Sequence, residues 1–308
     1  MNNTKSIRTN EDRFCRFRRI SDNGFRLAIE VTRNCNLYCK HCFVRSSKVD
    51  PEADEIIDII KQAKQFNCRK LIITGGEPLI RPDLEKIISA ATDQGILVDL
   101  NSNLFSLTHE RVDRLKAAGL QEASVSLYGV ESFHDNLTGK KGSFDRVLHG
   151  IDLLRDAGIT VDVHGAVWNK MLPCINELID IVQKHDVSSV TFFSLIPTET
   201  WTNTGQYIIS PDLAIKTISQ VRESTSMPIR TIGLQRIANV ESECQMGKSI
   251  YGIGTDMMLS PCLLSNNRFE KWGVSLRKHD LQEAISCLET QINHGEWCIS
   301  CSSQTQRI

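Results

Sequence analysis

Between residues 25 and 195, short apolar runs alternate with amphipathic stretches, and this alternation restricts the chain to very few folds. The strand-like runs are 27–31, 71–74, 96–100, 123–127, 161–167 and 190–195. Between them, Ile56, Ile59, Ile60 and Ala63 form one apolar stripe, Phe144, Val147, Leu148, Ile151 and Leu154 a second, and Ile175, Leu178, Ile179 and Val182 a third. The i, i+3, i+4 spacing is that of a helix with one face on a core. Gly95, Gly119 and Gly158 follow helical stretches, where a left-handed stop precedes the next strand. Strand and helix in alternation give right-handed parallel βαβ units, which close toward a barrel or spread as a doubly wound sheet. Six units are too few for the eight-fold barrel. In either arrangement ligands gather at the carboxyl ends of the strands, so the residues just after each run carry the most information.

A chain of 308 residues with 41% hydrophobic content has material for a sizeable core, which excludes intrinsic disorder. Its 36 Lys and Arg against 37 Asp and Glu leave a formal charge of -1, so composition gives no reason to expect nucleic acid or an anionic membrane as main partner. Residues 1–19 are polar, with no apolar segment of signal-peptide length, and no uncharged run reaches the roughly 18 residues of a membrane span. The expected location is cytoplasmic. There, eleven cysteines point to thiolate chemistry, metal ligation or core packing and not to a disulfide framework. After residue 195 the pattern changes to a polar loop, a helix over 211–221 and scattered Gly, Ser and Cys. The reading is an N-terminal extension (1–24), a main α/β domain (25–234) and a small Cys-rich module (235–308).

Immediately after the first run, residues 32–42 read Thr-Arg-Asn-Cys-Asn-Leu-Tyr-Cys-Lys-His-Cys, a CxxxCxxC array of Cys35, Cys39 and Cys42. Three thiolates on one loop can bind three irons of a cubane and leave the fourth iron without a protein ligand. A zinc site with His41 as fourth ligand is the competing reading, although zinc sites favour CxxC pairs over this step. The second run ends in Thr74-Gly75-Gly76-Glu77-Pro78. By itself this is a tight turn, but its glycines let backbone approach a ligand closely, and its carbonyls can accept from an ammonium group. Four more cysteines, Cys244, Cys262, Cys298 and Cys301, close with a CxxC pair and can complete a four-thiolate site, open to a zinc ribbon or an iron-sulfur cluster.

Both motifs, on successive strand ends and in this order, resemble the radical S-adenosylmethionine (radical SAM) superfamily. The resemblance covers residues 25–195 and implies a partial (β/α)6 TIM-like barrel. It further implies a [4Fe-4S] cluster on Cys35, Cys39 and Cys42, with S-adenosylmethionine chelating the open iron and cleaved by one electron to a 5'-deoxyadenosyl radical that takes a hydrogen atom from the substrate. The cofactor contacts so implied are His41 beside the adenine, Gly75, Gly76, Glu77 and Pro78 at the methionine amino group, Asn101, Ser126, and Arg146 at the methionine carboxylate. Asn101-Ser102-Asn103 stands where Thr-Asn-Gly is common, and Tyr128 where Asp is common. Taken alone, Arg146 near a helix start suits an anion partner or a solvated surface charge equally. The late cysteine segments look like the SPASM or shortened Twitch extension, with Met257 where a glycine is usual. Only seven residues follow Cys301, so one auxiliary [4Fe-4S] cluster is expected and no second.

Cys15, Cys68, Cys174 and Cys287 read as ordinary thiols, and His164, in an alternating strand, as a core histidine. In the resembled superfamily such extensions accompany peptide maturation (epimerisation, thioether formation, cross-linking) or oxidation and epimerisation of small molecules such as sugars and aminocyclitols. The expectation here is a peptide, with Phe192, Phe193 and Trp201 near the open mouth. The stretch before the first strand is short for a leader-recognition domain, so a separate peptide-recognition protein or a small substrate follows. An electron donor such as flavodoxin or ferredoxin is implied. The alternative outside enzymes is a zinc-binding interaction module on an α/β scaffold.

Overall fold

In a computed structural model the described residues are 24–42, 44, 49–169, 171–194, 210–232, 249–263 and 273–293. Cys15, Trp201, Cys244, Cys298 and Cys301 lie outside them.

All six expected strands form: β1 (Phe25–Thr32), β2 (Cys68–Gly75), β3 (Leu97–Ser102), β4 (Glu122–Ser126), β5 (Thr160–Val167) and β6 (Ser189–Ser194). The helices between them are α1 (Ala53–Gln65), α2 (Leu84–Thr92), α3 (His109–Ala117), α4 (Glu131–Thr138), α5 (Ser143–Asp156) and α6 (Ile175–Lys184). Gly95, Gly119 and Gly158 all take positive φ, at 68°, 92° and 74°. Helix α7 (Pro211–Ser224) then leads to β7 (Ile229–Ile232).

β1 to β7 lie side by side in chain order, every pair parallel. A doubly wound sheet reverses its strand order and needs apolar side chains on both faces. Neither holds here. Leu27, Ile29, Leu71, Ile73, Val98 and Leu100 point to one face and share a single core with the helix stripes, Ile56, Ile60, Val147, Ile151, Leu178 and Val182 among them. The alternate positions form a polar inner face. On it, Lys70 Nζ lies 2.7 Å from both Asp99 and Glu122. Asp162 accepts from Ser189 (2.7 Å) and Thr191 (2.8 Å) and pairs with Arg230 (3.1 Å). Charges partly withdrawn from water are held by pairing, as these are. The result is an open sheet with helices outside and a polar lumen inside, the partial-barrel architecture.

The sheet is wider than six strands. β8 (Ile250–Ile253) pairs parallel with the free side of β1, β9 (Met258–Ser260) antiparallel with β8, and β10 (Val274–Ser275) antiparallel with β9, before α8 (Leu281–Asn293). β7, with Arg and Thr inside Ile-Arg-Thr-Ile, and β8, with a glycine inside Ile-Tyr-Gly-Ile, are four residues each. Such short interrupted runs escape a periodicity reading. Among the described residues no helix is long and apolar enough to cross a membrane.

Candidate functional site

The loop leaving β1 is tied down at its first residues. Thr32 Oγ1 donates to Asp50 (2.7 Å) and accepts from Asn34 N (3.0 Å), while Arg33 N donates to Asp50 (3.2 Å). Further along, Tyr38 N and Lys40 N donate to Thr138 O (3.2 Å) and Leu137 O (2.9 Å). These are carbonyls of the last turn of α4, which have no partner within their own helix. Asn103 Nδ2 approaches from β3, donating to Asn36 Oδ1 at 2.9 Å and lying 3.8 Å from Cys35 Sγ. The loop so fixed presents Cys35 and Cys42 exposed and Cys39 half-buried. Burial pushes the Cys39 thiol up to about 12, and the neighbouring Cys42 and Cys35 add to the rise. Partial desolvation by the surrounding loop raises Cys35 and Cys42 as well, although their side chains reach solvent. Three crowded thiols that resist ionisation alone are relieved by cations, because metal binding replaces their protons.

The end of β2 lies directly against this loop. Gly76 N donates to Thr32 O (2.7 Å) and Glu77 N to Asn34 O (2.9 Å). A Cβ at Gly75, whose φ is 135°, would collide with Thr32 O, and one at Gly76 with Asn34 O. Only glycine permits that approach. Glu77 is buried and its carboxylate is taken up inside the protein, accepting from Leu79 N (2.9 Å), Ser102 Oγ (2.7 Å) and Asn103 N (2.7 Å). Burial raises its pKa against those donors. Its side chain therefore joins the ends of β2 and β3 and sets the backbone of residues 75–77; Pro78 opens the short 3-10 turn Pro78–Ile80.

Asn101, on the inner face of β3, has a buried Oδ1 with no hydrogen-bond partner among the described residues. An orphaned acceptor of this kind calls for a donor from a bound molecule or water. At the end of β4, burial raises the Tyr128 hydroxyl, with the three thiols adding to the rise and the Ser126 side chain opposing it. The Tyr128 ring meets His41 edge-on at 4.5 Å, stacks on His134 at 5.8 Å and touches Phe193 at 6.4 Å. Tyr128 N donates to His134 Nδ1 (3.2 Å). Burial holds His41 and His134 down at about 4, so both are neutral near pH 7. Arg146 is exposed on the first turn of α5 and has no ion-pair partner among the described residues. That helix start is capped instead by Asp135, which accepts from Gly142 N (2.5 Å), Phe144 N (2.9 Å) and Ser143 Oγ (2.9 Å).

The structure thus gathers Cys35, Cys39, Cys42, His41, Gly75, Gly76 and Ser126 around one end of the lumen, with Asn101 on its wall. It adds Tyr128, His134 and Asn103 to that group. Asn103 lay within a triplet the sequence had singled out, but nothing in the sequence marked His134. Phe192 is fully buried in the outer core, whereas Phe193 reaches Tyr128. His164 faces the lumen, 3.3 Å from Asp162. Of the later cysteines Cys262 is described and half-buried just beyond β9. Met257 has φ 61°, a left-handed conformation that favours glycine. Cys68 is buried, Cys174 half-buried and Cys287 exposed.

Three neighbouring thiols on a fixed loop, a glycine turn packed against them and an orphaned acceptor nearby suit an iron-sulfur cluster with a small polar ligand beside it. Among the described residues no three His, Cys, Asp or Glu converge on a single metal ion, and His41 is packed against Tyr128. A cubane, which takes each thiolate on a different iron, asks for no such convergence.

Residues 29–171 match the model of the Radical SAM superfamily. Over 177 residues the chain is 36% identical to the AdoMet-dependent heme synthase of Methanosarcina barkeri (strain Fusaro), covering 56% of this chain and 51% of that relative. Over 209 residues it is 25% identical to the PqqA peptide cyclase of Rhizobium meliloti (strain 1021), covering 63% of this chain and 54% of that one. The chain spans about half the length of these curated relatives. Its fold is similar to Streptococcus suis SuiB, solved with the precursor peptide SuiA, at a TM-score of 0.75 and 17% identity over 87% of this chain and 66% of that one. The cysteine loop, the glycine turn and the ends of β3 and β4 all fall inside the span that matches the Radical SAM superfamily model.

Proposed function

We propose that the protein is a radical SAM enzyme in which Cys35, Cys39 and Cys42 hold a [4Fe-4S] cluster and the lumen holds S-adenosylmethionine and substrate. The observation that carries this is the fastening of an exposed three-thiol loop to the Gly75–Gly76 turn, at the carboxyl ends of β1 and β2. When bound, the cluster supplies one electron that breaks the sulfonium of S-adenosylmethionine, giving methionine and a hydrogen-abstracting 5'-deoxyadenosyl radical. The chain's residues position and enclose. Gly75 and Gly76 offer backbone to the methionine amino group, and Glu77 fixes that backbone through its own three hydrogen bonds. Asn101 offers its free acceptor to the cofactor. His41 and Tyr128 give the adenine an aromatic wall, and Ser126 is assigned to the cofactor by resemblance. Arg146, on its exposed turn, is assigned to the methionine carboxylate by resemblance alone. Deeper in the lumen, Asp162, His164, Thr191 and Arg230 form a polar floor for the substrate.

The further assignments belong to the same reading. Residues 25–234 form the catalytic domain and 235–308 a SPASM or Twitch-like module in which Cys244, Cys262, Cys298 and Cys301 close one auxiliary [4Fe-4S] cluster. The protein works in the cytoplasm with a flavodoxin or ferredoxin as electron donor. The substrate assigned is a peptide, modified by cross-linking, thioether formation or epimerisation with the help of a separate recognition protein; the likeness to a peptide cyclase supports it. A second reading, a small molecule of tetrapyrrole type, is favoured by the 36% identity to a heme synthase.

Deuterium separates the two. The reconstituted protein, given S-adenosylmethionine and dithionite, is offered either a deuterated peptide encoded beside its gene or a deuterated iron tetrapyrrole. Label in 5'-deoxyadenosine from the peptide supports the first reading. Label from the tetrapyrrole alone overturns it in favour of the second.

A further inference from the structure

Exposure and charge around the cysteine loop mark out a second surface on its outer side. Tyr38, between Cys35 and Cys39, is 81% exposed, the highest value of any large apolar side chain among the described residues. An aromatic ring left in water gives up burial that the chain itself does not use. Its placement is fixed, because Tyr38 N is bonded to Thr138 O and a Cβ on Gly139 would lie 3.0 Å from Tyr38 O. The turn from α4 to α5 therefore sits directly beside it. That turn carries Lys140 and Lys141, both exposed, and Lys40 is exposed two residues beyond Tyr38. Lys40 Nζ donates to Asn136 Oδ1 (2.7 Å) and Lys140 Nζ lies 5.4 Å from the centre of the Phe105 ring, so both have neutral partners. None of the three lysines pairs with a carboxylate among the described residues. Asp135, on the adjoining helix, is turned onto the start of α5. One exposed ring, next to Cys39 in the chain, thus has an exposed lysine two residues on and two more on the turn beside it.

We propose that Tyr38, with Lys40 on its own loop and Lys140 and Lys141 on the adjacent turn, is the docking face for an acidic one-electron carrier protein. This rests on the radical SAM reading. One electron leaves the carrier for each sulfonium carbon–sulfur bond broken, giving one methionine and one 5'-deoxyadenosyl radical. Carriers of this kind bind transiently through interfaces below about 1,200 Å2. A rim of lysines steers an acidic partner and accelerates association at low salt. A central tyrosine supplies the buried anchor. Because Cys35 and Cys42 are exposed on the same loop, a carrier seated here stands beside the three thiols.

The test uses the reconstituted full chain and its Lys140→Glu/Lys141→Glu variant with reduced flavodoxin in stopped flow, across a salt series. Calorimetry with oxidised flavodoxin reads docking without turnover. The expected result is a loss of about 10-fold or more in the second-order rate constant at low salt, a flatter salt dependence and weakened flavodoxin binding. Reduction by dithionite stays unchanged, and Lys140→Arg/Lys141→Arg behaves as wild type. Equal constants and salt slopes for both proteins overturn the proposal. So does an equal loss with dithionite, or a defect confined to substrate-peptide binding. Wild-type protein that binds flavodoxin yet never cleaves S-adenosylmethionine with dithionite counts against the radical SAM reading and leaves the docking face standing.

Discussion

Glu77 shows how a single buried carboxylate can organise a site without facing its ligand. It satisfies two backbone amides and one hydroxyl, and all three become orphans if it is removed. Glu77→Ala should cost roughly 2–4 kcal/mol in urea denaturation and loosen the ends of β2 and β3 together. Gly76→Ala should act more narrowly. Its Cβ collides with Asn34 O, so the cysteine loop has to move; iron uptake should fall while circular dichroism keeps the α/β signature. His134 carries a pH signature. Burial lowers its folded pKa to about 4, below the ordinary imidazole value of 6.5, so the unfolded chain binds more protons between those values. Its contribution to stability is therefore complete above pH 6.5 and lost as pH falls toward 4. Wild type should lose roughly 1–2 kcal/mol more than His134→Gln between pH 7 and pH 5, as read by denaturation at each pH. Equal losses would place the titration elsewhere.

Among the elements, α4 has the least expected role. It is the platform for the cysteine loop, and through Asp135 it also caps α5. Asp135→Ala should lower stability by about 1–2 kcal/mol, the usual range for a lost cap. Hydrogen exchange at the Tyr38 and Lys40 amides should accelerate in that variant, since the α4 end they bond to is then less firmly held. The six central strands and three helix stripes were legible in the sequence because each is a clean local period bounded by turn residues. Helix α4 was not, since His134 occupies one of its core-facing positions beside Leu137 and Thr138, where a stripe would show an aliphatic. β7 and β8 were missed for a related reason. Their place is set by pairing with β6 and β1, far away in sequence, and four residues carry too little pattern to announce it.

For the whole molecule, the part of the site legible in the sequence is the part whose spacing is local. CxxxCxxC and Gly-Gly-Glu-Pro each lie within a few residues, whereas the His41–Tyr128–His134 stack needs the β1 loop, the β4 end and α4 to meet in space. The polar lumen floor likewise emerges only when β5, β6 and β7 are side by side. Two clusters, as proposed, would give about eight irons, and Cys298→Ala/Cys301→Ala should then remove about four without touching the loop on β1. On the proposed reading, the three-thiol loop makes this chain cleave S-adenosylmethionine. The direct measurement is 5'-deoxyadenosine formed by anaerobically reconstituted protein with S-adenosylmethionine and dithionite, compared with Cys35→Ala/Cys39→Ala/Cys42→Ala. The wild type should form it, and the triple variant, with about four irons fewer, should form none. Formation at the wild-type rate by the triple variant, or none by an iron-loaded wild type, would contradict the claim.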